Sequence, residues 1–194
     1  MSDWELEHAY ETIDLHRRGG AAKIELNRPE ALNAWNKQFG VDLLEVVKRV
    51  WRDDEVRAVL IAGAGRGFSS GADLKAGFDP TPDGKPDVHT TLTERYHPIM
   101  TALREMPKPV VASVQGPAVG IGCSLALVAD LIVAGESAFS EPPLSGVKKS
   151  ASAVPGTSSA ASSARSRIRA GVRKAAGMIV TGRRSAPAAS RRTP

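Results

Sequence analysis

Residues 109–134 read PVVASVQGPAVGIGCSLALVADLIVA, and how this run divides decides the architecture. From Pro109 to Ala129 it carries no charge and reaches the length of a membrane span. Pro109, Gly116, Pro117, Gly120 and Gly122 interrupt it, however. They divide it into a buried strand, PVVASVQG, and a short buried helix, IGCSLALVA, with a further strand from Leu131 to Ala134. Strand, helix and strand in succession specify an α/β fold and no membrane span.

Upstream, VRAVLIA at 56–62 is a continuous apolar strand that ends in the Gly-rich loop GAGRGFSSGADL at 63–74. Before it, residues 11–17 and 22–26 alternate apolar and polar, and Arg18-Gly19-Gly20 supplies the turn of a hairpin. Arg28-Pro29-Glu30 breaks the strand. A helix is then expected from Asn33, a competent N-cap, with Phe39, Leu43, Val47, Val50 and Trp51 at helical spacing. Residues 77–90, rich in Pro, Gly and Asp, read as a mobile surface loop. Leu92, Tyr96, Ile99, Met100 and Leu103 mark a second amphipathic helix.

The 194 residues divide into two chemical parts, which the overall charge of +5 conceals. Residues 1–141 hold all 21 acids against 15 bases, a net of −6, and all nine aromatics. Residues 142–194 hold 11 bases and no acid. A core over 1–141 and a basic Ser/Ala/Arg-rich tail over 142–194 follow, the tail having little to bury apart from one short helix at 173–182. The tail's charge suits unspecific phosphate contacts, but without interleaved aromatics a nucleic-acid partner is disfavoured. The acidic N-terminus, MSDWELEHAYE, lacks the apolar segment of a secretory signal, and a single cysteine, Cys123, excludes an internal disulfide. A cytoplasmic location is expected.

Nucleotide motifs fail on inspection. GAGRGF at 63–68 has Phe68 where a dinucleotide fingerprint needs its third glycine, and no Gly-Lys-Ser/Thr follows a Gly-rich run. His8, His16, His89 and His97 are scattered, none in a helical pair with a carboxylate, so no metal site is expected. What remains is a pair of loops at the carboxyl ends of strands, 69–74 and 116–122, each read as feeding a helix N-terminus. Unpaired amides and the positive end of a helix dipole suit an oxygen that becomes negative. Two such turns aimed at one point make an oxyanion hole, although the spacing alone favours two Gly-rich turns without chemistry.

The motifs Asn27-Arg28-Pro29-Glu30-Ala31-Leu32-Asn33-Ala34, GRGFSSGADL at 65–74, Lys108-Pro109-Val110-Val111-Ala112 and GPAVGIGCSLALVADLIVA at 116–134 stand in the order and spacing of the crotonase family. The chain thus resembles the enoyl-CoA hydratases and isomerases over about residues 10–141. The resemblance implies a spiral of ββα units, here incomplete at the C-terminus, assembled as a homotrimer or hexamer. It also implies an acyl-CoA thioester as substrate, with no metal or organic cofactor. Ala72 resembles the first oxyanion residue and Ile121 stands at the second, usually Gly. Asp73, Leu74 and Lys75 continue the segment that lies along CoA, and Ala31 and Asn33 resemble a further contact segment. Asp73 also reads as a helix N-cap.

The resemblance implies two catalytic glutamates as well. They fall on Ser124 and on Pro143, which follows Phe139-Ser140-Glu141-Pro142, and neither residue activates water as a carboxylate does. Glu141 substitutes only if the loop shifts by two residues. The resemblance nonetheless implies 2-enoyl-CoA hydration, the family's commonest reaction, in fatty-acid or related acyl-CoA metabolism. Its alternatives are a catalytically impaired family member and a non-hydratase chemistry: isomerase, hydrolase or decarboxylase. Cys123, in an apolar run without a nearby His or Lys, reads as structural. After Phe139 the family pattern survives only at Lys174 to Arg184. A shifted reading frame, a decayed gene copy and a real extension all fit the rest, and the assembly is expected to be weakened.

Overall fold

A computed structural model describes residues 4–77, 79–141 and 180–181, with the backbone alone for Glu141, Val180 and Thr181. The hairpin is there: β2 (Ile13–Arg18) and β3 (Ala21–Leu26) pair antiparallel across Gly19-Gly20, with Gly19 at φ +53°. An edge strand, β1 (Glu5–Ala9), pairs with β2 and is exposed along its length. Sequence reading missed it because no buried alternation marks it. From β3 the sheet continues parallel through β4 (Ala58–Gly63), β5 (Val110–Val114) and β7 (Leu131–Ala134). β9 (Val180–Thr181) closes the order β1-β2-β3-β4-β5-β7-β9 antiparallel. The helix expected at 173–182 therefore has strand at its last described residues. The remainder of it, and the tail over 142–170, lie outside the described residues.

Period-two alternation puts one face of the sheet inside. Ile13, Leu15, Ile24, Leu26 and Ile61 are fully buried against Phe39, Leu43, Val46 and Val47 of α1 (Lys37–Arg52) and against Ile99 and Leu103 of α3 (His97–Glu105). The helix does not begin at Asn33. Its N-cap is Asn36, whose side chain accepts from the Phe39 amide at 2.8 Å, because Leu32 and Asn33 take left-handed φ values of +52° and +55° that no helix continues. At the other end of α1, Lys108 Nζ donates to Val50 O (2.6 Å), Trp51 O (3.1 Å) and Asp53 O (2.6 Å), so one cation caps the carbonyl pole.

Residues 79–90 hold more hydrogen-bonded structure than a loop signal suggests. Pro80 and Pro86 bridge, Asp79 O accepts from the Asp87 amide, and Asp79 ties the turn to Lys37 of α1 and to Arg95. The chain then enters a short helix, α2 (Val88–Thr90), and a π-helical turn, Thr91–Tyr96, before α3. Pro98 explains the wide turn, since it has no amide to continue the α-helical ladder.

The uncharged run at 109–129 resolves into β5, a short strand β6 (Pro117–Val119) and α4 (Ile121–Val128). Among the described residues no helix is long and apolar enough to cross a membrane. β6 leaves the main sheet and pairs in parallel with β8 (Phe139–Glu141), forming a second, smaller layer.

Candidate active site

The second layer is where the Gly-rich segments meet. Ser69 bridges Ala118 in parallel: its amide donates to Pro117 O (2.9 Å) and its carbonyl accepts from the Val119 amide (2.8 Å). On the other side Trp35 bridges Ala72, through Trp35 N to Gly71 O (2.8 Å) and Asp73 N to Trp35 O (3.0 Å). The 69–73 segment is therefore held between 31–35 and 117–119 by main-chain hydrogen bonds.

The two loops correspond step for step. Two residues beyond the bridged pair, each has a glycine with positive φ: Gly71 at +94° and Gly120 at +56°. Three residues beyond it stand Ala72 and Ile121. The glycines absorb the backbone conformation that a β-branched side chain rejects, so Ile121 sits in the first turn of α4 without a left-handed φ. Among the described residues no hydrogen bond is made by the amide of Ala72 or of Ile121. At Ile121 the opening turn of α4 leaves that donor free, with the helix dipole behind it.

Only one of the two loops feeds a helix. After Ala72 the chain makes a turn, in which Asp73 Oδ1 accepts from the amides of Lys75 (3.1 Å) and Ala76 (3.4 Å), so Asp73 caps a turn rather than a helix. Its Oδ2 accepts from Arg28 Nη1 at 3.1 Å, and the same nitrogen donates to Ala34 O at 2.6 Å. Burial opposes the Asp73 charge, but the Arg28 guanidinium and the two amides outweigh it and hold the carboxyl below its ordinary value. Leu74 is 85% exposed and Lys75 is exposed beside it, an open rim next to Ala72. A cavity of about 120 Å³ bounded by Trp35, Ala72, Asp73, Asp79, Arg95 and Tyr96 adjoins the turn.

Asn33 is fully buried and its side chain is spent on the protein. Oδ1 accepts from the Arg28 amide (2.8 Å), while Nδ2 donates to Ala64 O (3.0 Å) and Gly67 O (2.9 Å). It therefore ties the 28–33 turn to the 64–67 loop. Gln115 Nε2 reaches the same loop at Gly63 O and Gly67 O. Ala31, in the 3₁₀ turn Pro29–Ala31, accepts from Ser70 Oγ at 3.2 Å. Ser69 Oγ donates to Asn33 O (2.8 Å), and a Cβ on Gly122 would lie 2.6 Å from the Ser69 Cβ, so α4 packs directly on this serine. Sequence reading missed Ser69 and Gln115 as site builders; the place of Ser69 within GRGFSSGADL and of Gln115 at the end of the strand run PVVASVQG was the available signal.

Ser124 lies on α4, half-buried, one turn beyond Gly120, whose carbonyl accepts its amide at 3.2 Å. Pro143 lies outside the described residues. The backbone of Glu141 is placed opposite Val119 by the parallel register of β6 and β8. Cys123 is buried, and burial pushes its thiol up despite a hydrogen bond with Ser140, which fits the structural role read from the sequence.

Two strand-to-loop turns joined by a parallel bridge, each presenting a main-chain amide after a glycine, define the crotonase class of fold. The chain matches the enoyl-CoA hydratase/isomerase family model over residues 16–192, and it belongs to that family. It is 42% identical over 129 residues to the 1,2-epoxyphenylacetyl-CoA isomerase of Escherichia coli strain K12, covering 66% of this chain and 49% of that protein. It is 43% identical over 127 residues to the probable enoyl-CoA hydratase echA12 of Mycobacterium bovis, covering 64% and 45%. Among solved structures, a probable enoyl-CoA hydratase from Mycobacterium thermoresistibile matches with a TM-score of 0.63 at 32% identity, over 70% of this chain and 54% of the other. The chain spans about half the length of the curated relatives it matches.

Proposed function

We propose that the chain binds an acyl-CoA thioester with its carbonyl oxygen between the amides of Ala72 and Ile121, and that these donors stabilise the enolate formed there. The observation that carries this reading is the bridge between Ser69 and Ala118, which sets the two donors at equivalent steps of adjacent loops. Such preorganised main-chain donors cost no reorganisation as charge develops. Asp73, Leu74 and Lys75 form the rim along which CoA lies, with the Ala31 turn across from it. The cavity bounded by Ala72 gives room for an acyl group. Asn33 acts by holding these segments in place.

The reaction assigned is hydration of a 2-enoyl-CoA, of the kind used in fatty-acid breakdown, in a cytoplasmic trimer or hexamer. Ser124 favours a second reading. With a hydroxyl where the resemblance implies a carboxylate, the same oxyanion site suits a slow hydratase or an isomerase, hydrolase or decarboxylase. Titration of ¹⁵N-labelled protein with acetoacetyl-CoA tests the binding site. The Ala72 and Ile121 amides shift with the ligand if the reading holds, and shifts confined to residues beyond 141 reject it.

A further inference from the structure

We propose a divalent-cation site of the zinc class on the β2–β3 hairpin, formed by Asp14, His16 and Glu25. The sequence separates these residues. Antiparallel pairing brings them together: Asp14 lies directly opposite Glu25, and His16 follows two residues along the same face of β2. The alternate residues Ile13, Leu15 and Ile24 are fully buried, so the cluster occupies the face turned away from the core. One ligand atom from each of the three residues lies within 4.8 Å of the others, and His16 Nε2 stands 3.0 Å from Glu25 Oε2. Donors bound to zinc at about 2.0–2.2 Å sit roughly 3–3.5 Å from one another, so small side-chain rotations close the triad on an ion.

The two carboxylates are held in place by neighbouring side chains. Lys23 Nζ donates to Glu25 Oε1 (3.0 Å), and Asn27 Nδ2 donates to Asp14 Oδ2 (2.7 Å). Each carboxylate is thus oriented by a second residue while it retains oxygen lone pairs to give. Lys23 balances one of the two carboxylates, leaving one negative charge for the cation. Side-chain exposures of 15% for His16 and 26% for Glu25 leave an entry path and places for water ligands. One imidazole and two carboxylates suit zinc better than calcium or magnesium, which prefer oxygen alone.

Isothermal titration of the chelator-stripped full chain with zinc chloride tests the proposal. One equivalent is expected to bind, with affinity reduced about tenfold or more in His16→Ala and in Glu25→Gln and unchanged in His89→Ala. A readout on the unaltered chain guards against a hairpin that folds poorly when substituted: manganese(II) should broaden the amide signals of residues 13–17 and 23–26 first. Zinc binding that survives His16→Ala, broadening centred elsewhere, or no saturable binding up to millimolar zinc overturns the assignment.

Discussion

Gly71 and Gly120 stand against each other where the two loops turn: a Cβ on Gly120 would lie 3.8 Å from Gly71 Cα, and one on Gly71 would lie 2.8 Å from Val119 O. Gly71→Ala therefore meets both a left-handed φ and a backbone carbonyl. It is expected to cost about 1–3 kcal/mol and to weaken acetoacetyl-CoA binding. Gly19→Ala shares the positive φ, with nothing within 4 Å of its Cβ and a place in the β2–β3 turn away from the cavity, and is expected to cost about 1 kcal/mol with binding intact. Urea unfolding and ligand titration of both variants check the contrast.

Asp73 makes the site acid-sensitive. Its folded carboxyl titrates below the ordinary 3.8, so the stabilisation it contributes is complete above 3.8 and is lost as the pH falls through the lowered folded value. Asp73→Asn is expected to lower stability near neutral pH by about 1–2 kcal/mol and to flatten the acid limb of the profile. Denaturation measured from pH 2 to pH 7 decides it; an unchanged acid limb rejects the Arg28–Asp73 contact as its cause.

Hydration of crotonyl-CoA is expected to be slow. A positioned acid–base group contributes on the order of 10²–10⁴-fold, and Ser124 supplies none near neutral pH. Turnover at the rates ordinary for hydratases would contradict this and direct attention to Glu141. Ser124→Glu is expected to raise the rate by about tenfold or more, with the acetoacetyl-CoA affinity largely kept.

Lys108→Met removes three hydrogen bonds from the end of α1 while preserving the stem that packs beneath them. A loss of about 2–3 kcal/mol is expected, since the carbonyls of Val50 and Trp51 lose a charged donor. Thermal unfolding measures it, and a change within about 0.5 kcal/mol means that water replaces the cation without cost.

The hairpin, α1 and α3 were legible because burial imposes periods of two and 3.6 on apolar residues, and the parallel strands and α4 because they are apolar runs bounded by Gly and Pro. Less legible were the elements defined by hydrogen bonding alone: β1, exposed along its length, and β6, only three residues long. Asn33 misled because an N-cap and a buried left-handed asparagine have the same local composition; only the carbonyls of Ala64 and Gly67, more than 30 residues away, separate the two. At the candidate site, the motifs located both loops, whereas their parallel bridge lay beyond the reach of linear spacing. The Asp14, His16 and Glu25 cluster is invisible at helical intervals because its members meet across a hairpin.

The amides of Ala72 and Ile121 belong to the main chain, and this governs how the site tolerates mutation. Exchange of either side chain leaves an N–H in place, as the isoleucine at the usual glycine position illustrates. On the proposed binding mode, vulnerability moves instead to the residues that shape and tie the loops: Gly71, Gly120, Ser69 and Asn33. A substitution scan is expected, on that binding mode, to tolerate change at Ala72 and Ile121 better than at the residues one layer behind them.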